Sequence, residues 1–182
     1  SFVVARDAFP FESDFIFSHI GGEVTDLAKV SGEVLVESVS FPIGRNYLKR
    51  EVEKNLNFDD IESLSLLKLY LRGEAHKNIS GKMEKILGRA GEEWRSSLES
   101  SLSKMLSDAP LPSRFFLIAD EDMSSWFKKT VQGEQLHQYT VTENKFDVTI
   151  FKHGKLSDLC KVREGVLRDP FLMTESIFIN KI

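Results

Sequence analysis

The sequence predicts an α/β fold with a mixed sheet, and three observations carry that expectation. Three strand-like runs stand at the front, a long block of helical periodicity follows, and a wholly apolar strand returns after it. The order β-β-β-α-α-α-β-α-β packs helices against a sheet.

The first strand is the apolar run Phe15 to Ser18, closely followed by the glycine pair Gly21-Gly22. Thr25 to Val30 makes the second strand, and Glu33 to Val39 follows a Ser31-Gly32 turn. A two-residue connection containing glycine between two such runs is a hairpin signature. The three runs together form an antiparallel three-strand meander.

Phe41-Pro42-Ile43-Gly44 ends the meander, and the period changes. Tyr47, Leu48, Val52 and Leu56 recur at helical spacing with Lys and Glu between them. Asp59-Asp60 caps a second helix, whose apolar face is Ile61, Leu64, Leu67 and Leu71 and whose stop is Gly73. A long helix is expected from about Asn78 to Ser107. Its single stripe runs through Ile79, Met83, Ile86, Ala90, Trp94, Leu98, Leu102 and Met105. Pro110 and Pro112 break the chain before Arg114 to Ala119, which reads as a buried central strand. Asp122 caps a helix from Met123 to Val131, and Gln138 to Thr142 reads as another short strand. Asp169-Pro170 has the form of a helix start leading into Phe171 to Phe178.

Composition narrows the classes. Apolar residues make up 41% and charged residues 29% of 182, ordinary for a soluble globular protein with a sizeable core. A net charge of −4 with scattered basic residues leaves no electrostatic footprint for nucleic acid. No apolar run approaches the roughly 20 residues of a membrane helix, and no signal peptide is expected. A single cysteine, Cys160, allows no internal disulfide, fits a reducing compartment and is expected to pack rather than react. His19, His76, His137 and His153 lack ligand spacing, so no metal site is assigned. The start at Ser1, straight into Phe2-Val3-Val4, leads to the expectation of a piece of a longer protein. Residues 1–13 would be the remnant of a preceding segment and 14–182 the domain.

The chemistry concentrates in His19-Ile20-Gly21-Gly22-Glu23-Val24-Thr25-Asp26-Leu27. Backbone N–H groups in a glycine turn between two strands can converge on an anion, and glycine admits it without a Cβ in the way. The same pair also fits a plain hairpin turn, and Thr25-Asp26 an ordinary strand start. His19 reads as a hydrogen-bonded turn residue rather than a catalytic base.

This stretch resembles the second phosphate loop of the actin-like ATPases of the FtsA/PilM kind, roughly Asp-Ile-Gly-Gly-Gly-Thr-Thr-Asp-Ile. Later landmarks resemble that family in order. Pro42-Ile43-Gly44-Arg45 looks like its Pro-x-Gly-Gly turn, and Leu64-Ser65-Leu66-Leu67-Lys68 stands where its Ala-Glu-x-x-Lys helix would be. Phe115 to Ala119 followed by Asp120-Glu121-Asp122 looks like its buried strand and glycine-rich adenosine loop. Asp169-Pro170-Phe171 resembles its closing helix. The resemblance covers residues 14 to 182, the second half of such a protein, and implies an actin-like (ribonuclease H-like) fold. It makes Gly21, Gly22, Glu23, Val24, Thr25, Asp26 and Lys68 the candidate contacts to nucleotide phosphate and ribose. ATP and Mg²⁺ stay open as cofactors of the full-length protein.

The departures from the family pattern fall at the demanding positions. His19 stands where a carboxylate would hold the water shell of Mg²⁺, a hard cation that prefers oxygen. Glu23 replaces a glycine beside the phosphates, where like charges near 4 Å cost roughly 1 to 4 kcal/mol. Ser65 replaces a glutamate, Asp120 to Asp122 replace glycines, and Arg45 replaces the second glycine of its turn. Phosphoryl transfer depends almost wholly on positioning and charge neutralisation. The expectation is therefore a degenerate actin-like domain with ATPase activity weak or absent and no catalytic residue assigned. It would serve as a protein-interaction component of a bacterial pilus-assembly or cell-division complex. Its partners would be proteins of that assembly and a second copy of itself. It would be cytoplasmic, at the inner face of the membrane, with only indirect membrane contact. The alternative is an active ATPase whose first half supplies the main nucleotide contacts.

Overall fold

The computed structural model describes residues 4, 7, 9–32, 34–106, 110–141, 143–151 and 170–179. Their frame is a five-stranded sheet in the order β3-β2-β1-β4-β5. β1 (Phe15–Ile20), β2 (Thr25–Ser31) and β3 (Val34–Phe41) form the antiparallel meander, with ends shifted by one or two residues from the sequence reading. β4 (Arg114–Ile118) runs parallel to β1 and β5 (Asp147–Ile150) parallel to β4, so the sheet is mixed.

Alternation along the strands gives the sheet two apolar faces. Ile16, Ile20, Leu27, Phe115 and Leu117 face one way, toward α1 (Arg45–Leu56), α2 (Asp60–Leu71), α3 (Lys77–Met105) and α4 (Glu121–Val131). The stripe on α3 centres this core on Trp94, which is fully buried and packs its ring against Phe41 and Phe127. Phe15, Phe17, Phe116 and Ile118 face the other way, toward Phe9, Phe151 and α5 (Pro170–Ile179) through Met173 and Ile177.

The helix ends follow local chemistry. Asp59 Oδ1 accepts from the Glu62 N–H at 2.8 Å and Glu62 Oε2 from the Asp59 N–H at 3.4 Å, a reciprocal cap on α2. Gly73, at φ +78°, ends α2 with Glu74 N–H donating to Leu69 O and Gly73 N–H to Tyr70 O. The C-terminal end of α3 receives a side chain from the sheet. Lys29 is buried, and its ammonium donates to Met105 O at 3.1 Å.

Two sequence readings are corrected. The cap of α4 is Asp120, whose Oδ1 accepts from the Asp122 N–H at 3.3 Å, because Asp122 is held elsewhere by cations of α2. The expected strand from Gln138 to Thr142 is not formed over its described residues, 138–141. Glu134–Tyr139 is a 3-10 helix, and Thr140 makes only an isolated bridge to Leu111. The Thr140 hydroxyl binds the Asn144 backbone, at 2.8 Å from its O and 3.1 Å from its N, in competition with a ladder. β5 completes the sheet instead. Cys160, His153 and Asp169 lie outside the described residues. Among the described residues, no helix is long and apolar enough to cross a membrane.

Candidate functional site

β1 and β4 are parallel neighbours, so the chain leaves both at the same edge of the sheet. The Gly21-Gly22 turn follows β1, Asp120 follows β4, and α1 begins beside both. Gly21 N–H donates to Val24 O at 2.9 Å and closes the turn. Gly21 O then accepts from the Arg45 N–H at 3.0 Å, and Gly22 O from the Asn46 N–H at 2.8 Å. The first N–H groups of a helix have no partner within it. Here the glycine turn supplies them.

Close approach explains the glycines. A Cβ on Gly44 would lie 2.5 Å from Gly21 O and 2.6 Å from Gly22 O, so no side chain fits there. A Cβ on Gly22 would come within 3.0 Å of Asn46 Nδ2. The group that comes close to this turn is the start of α1.

The candidate residues after the glycines separate. Glu23 accepts from Asn46 Nδ2 at 3.0 Å and from Arg50 Nη1 at 2.8 Å to each oxygen, and these bonds hold its carboxyl below the usual range. Val24 is partly exposed. Thr25 is buried under the helices, where its Oγ1 donates to Ile43 O at 2.7 Å and accepts from Trp94 Nε1 at 3.2 Å. Asp26 follows on the opposite face of the strand. It accepts from Ser40 Oγ at 2.5 Å and lies 3.8 Å from Nδ1 of His19, its cross-strand neighbour. Burial pushes the His19 imidazole below its ordinary value.

Lys68 stands on the far wall of a cleft of about 120 Å³ lined by Arg45, Asn46, Lys49, Leu64, Lys68, Asp120 and Met123. Arg45 Nη1 meets Asp120 Oδ2 at 2.9 Å across this space. Lys68 Nζ meets Asp122 Oδ2 at 2.9 Å, and Arg72 Nη2 meets the other oxygen at 2.5 Å. The Lys68 and Arg72 hydrogen bonds hold the Asp122 carboxyl below its ordinary range. Ser65 is exposed on α2. The structure thus brings Gly21, Gly22 and Glu23 against α1, sets Lys68 across the cleft, and divides Thr25 from Asp26 by the sheet.

Sequence reasoning missed Asn46, Arg50 and Arg72. A signal existed for two of them. Arg72 lies four positions after Lys68 and Arg50 four after Asn46, which puts each pair on one helix face. A larger groove of about 890 Å³ runs between α3 and α4, with Gly88, Gly91 and Trp126 in its walls. Among the described residues, no group of three or more His, Cys, Asp or Glu is placed to hold a metal ion.

No family model and no curated protein matches the chain. Solved structures do. The ethanolamine utilization protein EutJ from Carboxydothermus hydrogenoformans superposes with a TM-score of 0.55 at 14% identity over 81% of this chain. The PilM–PilN type IV pilus biogenesis complex superposes with a TM-score of 0.53 at 18% identity over 82% of this chain. The chain spans 47% of the first matched chain and 39% of the second, so it corresponds to less than half of either. At these identities the likeness is one of fold. Both neighbours are actin-like, and this chain folds as an actin-like ATPase-fold domain.

Proposed function

We propose that this chain is a degenerate actin-like domain that serves as a protein-interaction component of a bacterial assembly, of the pilus or cell-division kind. The single observation that carries the reading is the internal pairing of the charged groups at the sheet edge. Arg45 is bound to Asp120, Lys68 to Asp122, and Glu23 to Arg50. A phosphate cradle needs N–H groups and cations turned toward the anion. Here the first amides of α1 meet carbonyls of the glycine turn, and the cations meet carboxylates. Nucleotide at Gly21 to Asp26 and Lys68 would have to displace these partners. The likeness to one chain of the PilM–PilN complex supports a protein partner of pilus-assembly type. In this reading residues 14–182 form the C-terminal domain, at the inner face of the membrane on the cytoplasmic side.

The test is Mg²⁺-ATP added to the full-length protein, followed by thermal denaturation and phosphate release. A ligand at 100 times its Kd that binds only the native state adds about 2.7 kcal/mol of stability. The expected outcome is no shift of Tm at millimolar nucleotide and no turnover. Micromolar affinity with turnover would overturn the reading and favour an ATPase whose other half carries the nucleotide.

A further inference from the structure

β3 is an edge strand, with β2 on one side and no strand on the other among the described residues. An edge presents a row of backbone N–H and C=O groups, and only another extended chain can satisfy that row as a ladder. Edges are ordinarily blunted by lysine or proline, and Val34–Phe41 contains neither. It exposes apolar side chains in succession, Val34 at 63%, Leu35 at 40% and Val36 at 55%. A bulge makes Val36 the extra residue between the Leu35–Val30 and Glu37–Lys29 pairs, and the run Glu37–Phe41 beyond it is regular.

Charge decides which chain fits this edge. Glu37 follows the apolar triplet, and Glu33 precedes it in the sequence. Lys29 stands across the ladder from Glu37, but its ammonium is bound to Met105 O, and no cation meets the Glu37 carboxylate among the described residues. A second copy of β3 does not complement this pattern. Antiparallel pairing that matches the triplets, centred on Leu35, sets Glu33 against Glu37, and parallel pairing in register sets Glu37 against Glu37. Like charges directly opposite one another destabilise a strand pair. A strand with Lys or Arg on both sides of apolar residues fits it instead. We propose that β3 is a docking edge for an extended, basic-apolar segment of a protein partner, which adds to the sheet as a further outer strand. The inference names a surface for the partner of the reading above and rests on that reading for there being one.

Fluorescence anisotropy tests it, with the full-length protein and the labelled peptide Thr-Val-Thr-Val-Lys-Val-Thr-Val-Lys. The expected result is saturable binding. Glutamate in place of both lysines should weaken it about 10-fold, and Glu37→Lys in the protein should abolish that preference. Circular dichroism confirms that the variant folds. Two peptides N-methylated at alternate residues, in the two possible phases, read the geometry with the wild-type protein. One phase removes the donors that face β3 and abolishes binding, while the other leaves it intact. Equal effects of both phases, no preference for lysine over glutamate, or no binding at millimolar peptide would overturn the proposal. So would a peptide-free dimer that Val36→Lys dissolves, the signature of a second copy on this edge. Turnover of Mg²⁺-ATP would remove the reading above and leave this assay as it stands, whereas absent peptide binding removes this inference alone.

Discussion

Two turns stand side by side at one edge of the sheet and are saturated by different means. The glycines of the turn between β1 and β2 are held by main chain, their carbonyls receiving the first amides of α1, and only the exposed Glu23 adds side-chain bonds, to Asn46 and Arg50. The turn between β4 and α4 is held by side chains, Asp120 against Arg45 and Asp122 against Lys68 and Arg72. Arg45 joins the two, with its N–H on Gly21 O and its guanidinium on Asp120. Main-chain bonds are indifferent to pH, while partly exposed ion pairs weaken with acid and with salt. The first turn is therefore fixed architecture, and the second is a lock whose strength depends on solution conditions.

Substitutions on each side break the comparison in different ways. The largest effect is expected from Gly44→Ala, whose methyl has no room against Gly21 O and Gly22 O. Overpacking of this kind costs about 3 kcal/mol, read as a drop in the urea midpoint. An unchanged midpoint would show that α1 can move away from the turn freely. Next comes Thr25→Val, which keeps the shape and removes the acceptor of the buried Trp94 indole N–H. A loss of about 1–2 kcal/mol is expected in the same measurement. A midpoint equal to wild type would show that the hydroxyl does not hold the ring.

The smallest effect belongs to the ionic side. The folded pKa of Asp122 lies below its unfolded value, so its contribution to stability is present above about pH 4 and is lost as pH falls through the folded value. Lys68 and Arg72 are both more than a third exposed, so Asp122→Asn should cost less than about 1 kcal/mol near neutrality. The gap between variant and wild type should close in acid. A gap of the same size in acid and at neutrality would sink the ionic account.

The fold was largely legible from pattern. Period two revealed the meander and β4, and period 3.6 revealed the stripe from Met83 to Met105, because both faces of the sheet are buried under regular elements. Gln138 to Thr142 misled because β-branched residues suit a strand only where a neighbour exists to pair with, and Thr140 binds its local backbone instead. β5 escaped notice because Asp147-Val148-Thr149-Ile150 is short and half polar. Three consecutive acids left the cap of α4 ambiguous, and cations from α2, remote in sequence, decide it. At the candidate site the glycines were visible, but not what approaches them. A missing Cβ says that something comes close and leaves open what it is.

Lys29 carries a consequence for how the molecule comes apart. It belongs to β2, yet its ammonium ends α3, with 76 positions of chain between the two residues. β2 cannot leave the sheet without stranding a buried ammonium and depriving the final turn of the longest helix of its donor. Strand and helix end are therefore members of one cooperative opening unit. β3, the outermost strand here, can part from the sheet without breaking this bond, whereas β2 and the last turn of α3 open together.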